Sequence, residues 1–586
     1  MPKHSDVSRI IKKAKALTTE KAVWVPLYDL ISEFVTDTRR HFTNTVPPNK
    51  NGPGATISQN QFDQTAGKAA DLLAAAMVGA LWPNGARSVR LRPPQELALK
   101  QLENEEVKEY YEKATRIFVT HMDAAESGFH TALDEYFLDQ AAFGTSGIGV
   151  FEDEDDDETP VYYQAIDATT SDIAENPRGN IDTIYRYLWY TPEQLVELYG
   201  ESAVSKKTLE AYRQDKLDPI RVLHAVEPRR GHRADAKTNK EFAYASYHIE
   251  MDSEHLLRES GYREQPIYMG RFRKAINEKY GRSPAMRALS DIMELNMTRE
   301  TSIIVKEQLT DPALVVLSEG GHGPDIDKSP GAVTVLNISG RLGTLNQRPI
   351  DRLFPVGDPS WADQRIQELQ ESISQHFSID RLLDLNNESR MTLGEANIRN
   401  QLRQESLGTI YARQTIEIFT PVVKRTFNIL FERGYLGVIR GTDEDLALQA
   451  AGRTPFYIPD AVAKLAVDGE DMYDIEFISP AARIMQASEL NGITQTLEVA
   501  GGLGGLNPDS LDNVDFDELM RRVIMYTGAP EEILNSVQAV KAIREARQAA
   551  QQAQVQSEQQ RLDSETARNI GQTASMLGGV GEQAVN

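Results

Sequence analysis

YGRSPAMRALSDIMELNMTRETSIIVKEQLTDPALVVL, residues 280–317, is the stretch of sequence from which the fold can be predicted. Ser283 followed by Pro284 predicts the start of a helix, because serine is a common N-cap and proline fits the first helical position. Apolar residues recur at helical spacing to about Gln308, and Asp311-Pro312 ends the helix. At 1.5 Å per residue this helix is roughly 38 Å long.

Beyond this helix the pattern changes to short strands and turns. Leu314–Leu317 and Val333–Leu336 are apolar runs of strand length, and the segment Leu342–Leu345 continues the pattern. These segments form a module of about 45 residues, which is too small to bury a large core by itself. We therefore expect the module to gain stability from its neighbours. A second helix is predicted from Ser360 to about Phe377.

A charged linker and a long helix come next. The linker Ser378–Met391 carries the charged residues Asp380, Arg381, Asp384, Glu388 and Arg390. Thr392–Glu395 then has the spacing of a capping box, with threonine as the N-cap and glutamate at N3. The helical pattern persists to about Arg433. A kink is expected at Pro421, because proline cannot donate the helical backbone hydrogen bond. Gly434 fits the position that follows a helix end.

The flanking regions differ in character. The first 130 residues are mostly helical in pattern. One apolar, alanine-rich helix face is predicted to end at Trp82 and to comprise Phe62, Ala66, Ala69, Leu72, Leu73, Ala76 and Ala80. Residues 160–270 contain short segments typical of strands. From about residue 536 alanine and glutamine predominate, which predicts a helical extension, and the composition of residues 572–586 predicts a frayed end.

Composition excludes several classes of protein. The 586-residue chain has no cysteine, so it has neither disulfides nor thiolate metal ligands. It carries 63 Lys and Arg against 87 Asp and Glu, a net charge of −24, and so lacks the basic excess of conventional nucleic-acid-binding proteins. If DNA is a partner, we expect the protein to keep it mobile. No apolar run reaches the roughly 20 residues of a membrane span, and no signal peptide is visible, so we expect a soluble protein.

The sequence contains no recognisable catalytic motif. A P-loop, an HExxH pair, a nucleophile elbow and zinc-ligand spacings are all missing. The carboxylate run Glu152–Glu158 lacks the spacing of a calcium loop, which favours a solvated loop. His376 at a helix end has no matched nucleophile nearby in sequence, which favours a structural role. We therefore predict that the protein is not an enzyme and that it has no cofactor and no metal site.

Several short motifs occur in a defined order along the chain. They are Phe62-Asp63-Gln64-Thr65-Ala66, then Phe143-Gly144-Thr145-Ser146-Gly147, then Tyr280-Gly281-Arg282-Ser283-Pro284 with Leu295-Asn296, and finally Asp311-Pro312-Ala313-Leu314. With this order, and with its succession of helix, small β module, helix, charged loop and long kinked helix, the chain resembles the portal proteins of tailed double-stranded DNA bacteriophages. It looks in particular like the head-to-tail connector family of short-tailed phages, over about residues 30–530.

The resemblance implies an α+β, mainly helical portal fold that assembles as a closed ring. The implied parts are the N-terminal part of the wing at 1–282, stem helix 1 at 283–309, the clip at 310–357, stem helix 2 at 358–378, the tunnel loop at 379–391, the long kinked wing helix at 392–434, the wing and crown region at 435–535, and a C-terminal helical extension or barrel with a flexible tail at 536–586.

The resemblance also implies a function. Rings of this family, typically dodecamers, occupy one capsid vertex and are the conduit for genome packaging and ejection. The implied partners are the double-stranded DNA in the channel, the terminase large subunit, tail adaptor or nozzle proteins, and the major capsid, scaffold and internal core proteins. A location in the virion after assembly in the host cytoplasm is implied as well, without a membrane partner.

An acidic channel wall would repel DNA phosphates and so ease sliding of the duplex. Only charges on the wall itself would act on the DNA, because the screening length is about 8 Å in physiological salt. The candidates for transient contact with DNA are Arg381 and Arg390 in the tunnel loop and Lys306 and Arg365 on the stem helices. The alternative is that these cations bridge Asp380, Asp384 or Glu388 of their own or the next subunit.

Two functions of other classes stay open at this point. One is a non-channel structural adaptor or scaffold protein with a helical C-terminal arm. The other is a hydrolase that uses some of the many carboxylates. Images of purified particles separate the first from a portal, which requires a ring with a hole wide enough for duplex DNA. A hydrolase requires metal-dependent turnover that single carboxylate substitutions abolish.

Overall fold

The structure is a computed structural model that describes residues 4–36, 61–85, 87–94, 105–153, 159–231, 238–318, 326–337, 350–353, 360–378, 408–442, 456–468, 472–479, 482, 519–520 and 537–581. Contacts divide the chain into two compact units. The first comprises Met1–Leu91, Glu112–Ala463 and Ile475–Met485, and the second comprises Arg92–Tyr111, Lys464–Asp474 and Gln486–Asn586.

Helices account for much of the described chain. They are α1 His4–Lys21, α2 Val25–Ile31, α3 Thr65–Leu81, α4 Glu105–Met122, α5 Phe129–Phe143, α6 Pro192–Tyr199, α7 Lys206–Arg213, α8 Pro284–Thr310, α9 Ser360–His376, α10 Thr420–Glu432, α11 Asp460–Asp468 and α12 Val537–Gly581. Two short segments, Ser32–Thr36 and Thr415–Phe419, are π-helical.

The strands are concentrated in the middle of the chain. They are β1 Val89–Arg92, β2 Thr145–Glu152, β3 Val161–Asp167, β4 Ser171–Glu175, β5 Ile181–Tyr190, β6 Ile220–Pro228, β7 Tyr244–Glu250, β8 His255–Tyr262, β9 Ile267–Arg271, β10 Leu314–Ser318, β11 Val333–Asn337, β12 Ile350–Arg352 and β13 Asp474–Phe477. The fold is therefore a mixture of helices and sheets, in agreement with the α+β prediction.

The first unit contains two antiparallel sheets that share a core. The larger has the order β4-β5-β6-β7-β8 and the smaller the order β3-β2-β9. Helix α1 covers one face of the larger sheet, where Ile10 and Ala14 pack in one cluster with Leu223. On the opposite face Ile184 packs in one cluster with Ile267 of the smaller sheet. Apolar side chains on alternate positions of these strands therefore face two different layers, as strand geometry requires.

The alanine-rich helix α3 lies where the sequence predicts it, but its buried face is shifted. Alanine residues together with Leu73 and Met77 are buried, whereas Phe62 and Leu72 are exposed. Leu72 lies one residue, or about 100° of helix rotation, away from Leu73, so both cannot face the same neighbour. Trp82 ends the helix and stacks flat on Phe419 with ring centroids 6.0 Å apart.

The long helix near residue 434 is interrupted close to the predicted kink. Residues 408–414 are helical, Thr415–Phe419 is π-helical, and α10 follows with Pro421 in its first turn. A proline that cannot donate a backbone hydrogen bond often accompanies such an interruption. Gly434 has a φ of 76°, as expected for the residue after a helix end. The predicted capping box Thr392–Glu395 lies outside the described residues.

Two helices in the strand-rich middle of the chain were not predicted. α6 and α7 lie within residues 160–270, where the sequence analysis identified only strands. Their caps are readable: Thr191 and Gln194 form a capping box before α6, and the Ser205 side chain caps α7 by accepting from the Thr208 N–H. At the other end of the chain α12 runs to Gly581 and includes most of the segment predicted to fray.

Candidate functional site

Helices α8 and α9 pack along each other and form the region that the sequence analysis singled out. The Ser283 hydroxyl accepts a hydrogen bond from the Met286 N–H at 2.9 Å, which fixes the start of α8 as predicted. Ile292 of α8 and Ile366 and Ile373 of α9 are among the apolar residues that the pair buries. At 1.5 Å per residue, the 27-residue α8 is about 40 Å long.

Polar contacts show that the two helices are antiparallel. Lys306 near the end of α8 pairs with Asp363 near the start of α9, with Nζ and Oδ1 2.8 Å apart. Asp291 near the start of α8 accepts a hydrogen bond from Ser372 near the end of α9 at 2.6 Å. These contacts stabilise the alignment of the pair, although a half-exposed ion pair contributes only about 0–1 kcal/mol.

Asn296 attaches α8 to the segment that leads into α3. Its side chain is buried, and its Oδ1 accepts hydrogen bonds from the backbone N–H groups of Phe62 at 2.8 Å and Asp63 at 3.1 Å. Its own amide donates to the Ile292 carbonyl at 2.9 Å. Two of the motifs quoted from the sequence, Phe62–Ala66 and Leu295-Asn296, therefore meet in space.

The Asp63 carboxylate joins α8 and α9 to the same segment. Arg299 of α8 donates to it at 3.2 Å and Gln370 of α9 at 3.0 Å. Burial by itself would raise the pKa of Asp63. Hydrogen bonds from Thr65, Gln370 and Arg299 outweigh burial and hold that pKa below its ordinary value. The carboxylate is therefore a charged acceptor at neutral pH.

Two further motifs meet at a close backbone approach. The Gly281 N–H donates to the Thr145 hydroxyl at 2.6 Å, and the Phe272 N–H donates to the Gly144 carbonyl at 2.9 Å. Gly144 has a φ of 76°, and a Cβ added there would lie 2.5 Å from the Gly281 carbonyl oxygen. A Cβ on Gly281 would in turn overlap the carbonyl oxygen of Gly144. Only glycine fits at either position, which explains the glycines in both motifs.

Helix α8 leads at Asp311 into a small sheet with the order β11-β10-β12. β10 is parallel to β11, with Leu314 opposite Val333, and antiparallel to β12, with Leu314 opposite Arg352. The first two strands lie where the sequence predicts them; the predicted third segment, Leu342–Leu345, lies outside the described residues, and β12 follows it. Both edge strands carry exposed apolar side chains, with Val333 56% and Ile350 54% exposed.

Exposed apolar residues also lie on the helix pair. Met293, Met297 and Ile304 are spaced by four and seven residues along α8, so they share one face, and Met297 is 70% exposed. Trp361 of α9 is exposed as well. A group of large apolar side chains on the surface of one subunit is typical of a surface that another protein covers.

Acidic residues outnumber basic ones on the helix pair. α8 and α9 together carry four Lys and Arg against seven Asp and Glu. The acidic residues are Asp291, Glu294, Glu300, Glu307, Asp363, Glu368 and Glu371. The two helices together therefore carry a net negative charge.

The structure describes two of the four residues proposed to contact DNA. Lys306 pairs with Asp363, and the Arg365 Nε pairs with Glu294 Oε1 at 2.8 Å and its Nη1 with Glu368 Oε2 at 3.2 Å. Both cations are about half exposed. Their carboxylate partners lie on the helix pair rather than in the linker, where the alternative placed them. Arg381 and Arg390 lie outside the described residues, as do Asp380, Asp384 and Glu388.

The described residues provide no grouping of three or more His, Asp or Glu side chains that could hold a metal ion. His376 lies at the end of α9, with its Nε2 3.8 Å from Asp291. No helix within the described ranges is both long enough and apolar enough to cross a membrane.

The sequence of the chain matches a known protein family. The chain belongs to the family of bacteriophage head to tail connecting proteins, whose family model matches residues 7–534. The sequence is 24% identical over 580 residues to a probable portal protein of Bordetella phage BPP-1, covering 97% of this chain and 96% of that protein. It is 25% identical over 431 residues to a portal protein of Salmonella phage epsilon15, covering 72% of this chain and 71% of that protein.

A solved structure is similar more remotely. A chain from the virion of a native gene transfer agent particle matches 67% of this chain and 90% of its own length, with 10% sequence identity and a TM-score of 0.27. Membership of the head-to-tail family confirms the resemblance that the sequence motifs indicated, and the matched family is one of structural proteins.

Proposed function

We propose that this protein is a portal, a ring at one capsid vertex that connects head and tail and through which the genome is packaged and later ejected. The observation that carries the proposal is the family match over residues 7–534. We assign it no catalysis, so a separate packaging ATPase, the terminase large subunit, would supply the energy for DNA movement. The ring would belong to the virion and assemble in the host cytoplasm.

The helix pair and the small sheet would be the stem and the clip of this ring, within the boundaries 283–309, 310–357 and 358–378. The wing would comprise 1–282 and 392–434, with the tunnel loop at 379–391 between stem and wing. The wing and crown region would follow at 435–535 and the helical extension or barrel at 536–586. The exposed apolar residues on α8, β11 and β12 support ring closure, because a head-to-tail neighbour would bury them.

The carboxylate excess of the helix pair supports a channel in which DNA slides. Because Lys306 and Arg365 already have carboxylate partners, we expect them to contact phosphates only briefly. Arg381 and Arg390 remain candidates in the tunnel loop. The clip would face the terminase and then the tail adaptor or nozzle proteins, and the wing and crown would face capsid, scaffold and core proteins.

Electron microscopy of purified protein tests the ring. We expect closed rings, typically dodecamers, with a hole wide enough for duplex DNA. Val335→Asp, on the exposed face of β11, should yield monomers, because it places a charge where a neighbour would pack. The matched control is Leu217→Asp, at an exposed apolar residue far from the small sheet in sequence, which should leave rings intact. Wild-type monomers with a single well-defined mass would contradict the proposal.

Two deletions test the module assignment. Removal of residues 379–391 should leave rings intact while DNA packaging into heads fails, because the loop would contact DNA and not the neighbouring subunit. Truncation after residue 536 should also leave rings intact while ejection changes. Loss of rings in either variant would show that the boundaries are misplaced.

A further inference from the structure

One face of the five-stranded sheet carries a row of nitrogen-bearing side chains. Arg186 of β5 lies opposite His224 of β6, His224 opposite His248 of β7, and His248 opposite Arg258 of β8. Residues in register on neighbouring strands share a face, so all four side chains lie on the same side of the sheet. With strands about 4.8 Å apart, the row extends over roughly 14 Å. We call these four residues the basic row.

The centre of the basic row is neutral and rigid. The Arg186 Nε donates a hydrogen bond to the His224 Nδ1 at 2.8 Å, and the His224 Nε2 lies 3.0 Å from the Ser246 hydroxyl. The two imidazole rings stack with centroids 4.2 Å apart and an angle of 7°. Burial, together with nearby cations, lowers the pKa of His248 to about 3. The positive charge of the row therefore resides on its two arginines.

Neither arginine has an acidic partner among the residues that the structure describes. Other arginines that flank the row do: Arg221 pairs with Asp252, and Arg229 pairs with Glu259. In a chain with 87 acidic residues against 63 basic ones, a pair of arginines without carboxylates is unexpected. The His248 Nδ1 is also buried, and within the described part of the chain it makes no hydrogen bond. The row is thus a place where hydrogen-bonding capacity is left unused.

Tyrosines flank the basic row. Tyr162, Tyr190, Tyr199 and Tyr262 lie close enough to Arg186 to interact with it electrostatically. The Tyr199 ring also packs against His248, with centroids 5.6 Å apart. Burial raises the pKa of Tyr199, so its hydroxyl stays protonated and can donate a hydrogen bond. The row lies between two apolar clusters of the sheet face, one that contains Ile184 and Val226 and one that contains Val222 and Leu257.

We propose that the basic row binds an acidic segment of a partner protein, with carboxylates of the segment paired to Arg186 and Arg258. Arg186 also donates through its Nη1 to the Gln164 Oε1 at 3.2 Å, but neither it nor Arg258 pairs with a carboxylate in the described part of the chain. Charge complementarity carries the proposal, because two guanidinium groups without carboxylate partners match carboxylates in geometry and sign. Tyrosine and arginine are also the residues enriched where proteins bind proteins. Duplex DNA fits less well, since Arg186 is only partly exposed and the acidic chain repels a polyanion.

Peptide binding to the full-length protein tests this inference. We expect a fluorescently labelled hexaglutamate peptide to bind, as followed by anisotropy, and a hexaglutamine peptide not to bind. Arg258→Gln should weaken hexaglutamate binding by about threefold to fivefold, since an ion pair at an exposed arginine contributes up to about 1 kcal/mol. Arg258 is exposed, so this substitution should not disturb folding; Arg186→Gln should have an effect at least as large. The control Arg263→Gln, at an exposed arginine already paired with Glu432, should bind like the wild type.

Three outcomes would overturn the inference. One is that wild-type protein does not bind hexaglutamate. A second is that Arg258→Gln and Arg263→Gln bind it equally. A third is that a labelled DNA duplex binds more tightly than the peptide and loses affinity in Arg258→Gln, which would make the row a phosphate site. None of these outcomes depends on whether the protein forms a ring, so the inference can fail while the proposed function stands.

Discussion

The contact between Gly144 and Gly281 is completed within one chain, whereas the helix pair and its small sheet leave apolar side chains exposed. Around Gly144 and Gly281 the backbones touch, the nearby Thr145 side chain is buried, and the N–H of Gly281 has a partner in the same chain. On β11 and β12, by contrast, Val333 and Ile350 are more than half exposed. One region is complete within a single subunit, whereas the other leaves apolar surface uncovered.

Because of this difference, substitutions in the first region should affect folding and substitutions in the second should affect assembly. Substitutions at the glycine contact should destabilise the subunit itself, because nothing outside the chain can compensate for a backbone clash. Substitutions on the exposed apolar surface should leave the subunit stable and affect only what covers that surface. The contacts of Asn296 and Asp63, which join the helix pair to α3, should give intermediate effects.

Gly144→Ala should give the largest loss of stability. The new Cβ would lie 2.5 Å from one backbone atom and 2.7 Å from another, at a positive φ, so we expect a loss of about 3 kcal/mol or more in a urea unfolding experiment. Gly85→Ala is the matched control. Its φ is 74°, but nothing lies within 4 Å of the added Cβ, so only the backbone strain of about 1–2 kcal/mol should remain. Equal losses in the two variants would mean that the close approach is unimportant.

Asn296→Ala should destabilise the subunit by about 2 kcal/mol. The substitution leaves the backbone N–H groups of Phe62 and Asp63 without their acceptor. Thr298→Ala, two residues further along α8, removes only a hydroxyl that donates to the carbonyl of its own helix and should change stability by less than about 0.5 kcal/mol. Thermal unfolding followed by circular dichroism would compare them. If both variants have the same Tm, the link between α8 and the segment before α3 does not stabilise the fold.

The Asp63 carboxylate should make stability depend on pH in the acid range. Its pKa is lower in the folded protein than in the unfolded chain, so it contributes stability above the unfolded value of about 3.9. That contribution is lost as the pH falls through the folded pKa. Asp63→Asn should therefore be less stable than the wild type by about 1 kcal/mol at pH 7. The difference should shrink below about pH 4. A difference that stayed constant down to pH 2 would refute this assignment.

The Lys306–Asp363 pair should give the smallest effect. Both side chains are about half exposed, so a double-mutant cycle with Lys306→Ala and Asp363→Ala should show a coupling of about 0.5 kcal/mol or less, and high salt should reduce it further. A coupling above about 2 kcal/mol would indicate that the pair is more enclosed than its exposure implies.

Sequence reasoning predicted the helices and strands that have local signals. Ser283-Pro284 located the start of α8, Asp311-Pro312 located its end, and Ser360 located the start of α9. Such signals act within one turn of backbone, so they can be recognised without knowledge of the tertiary fold. The short helices α6 and α7 carried the same kind of signal and were overlooked because strands surround them.

Contacts between distant segments could not be predicted in the same way. The sequence analysis quoted Asn296 and Asp63 as parts of separate motifs, but nothing in their spacing shows that they touch across 233 residues. The basic row was missed for the same reason, since its four members come from four strands. Their register depends on the turns and bulges between strands, and these cannot be located from the hydrophobic pattern alone.

The paired glycines place a constraint on how this protein can evolve. Each position excludes a side chain because of the main chain at the other, and no second substitution can move a carbonyl oxygen that every amino acid carries. Both positions should therefore be invariant among relatives, while the residues around them vary. An alignment of distant relatives should show glycine at both positions even where little else is shared.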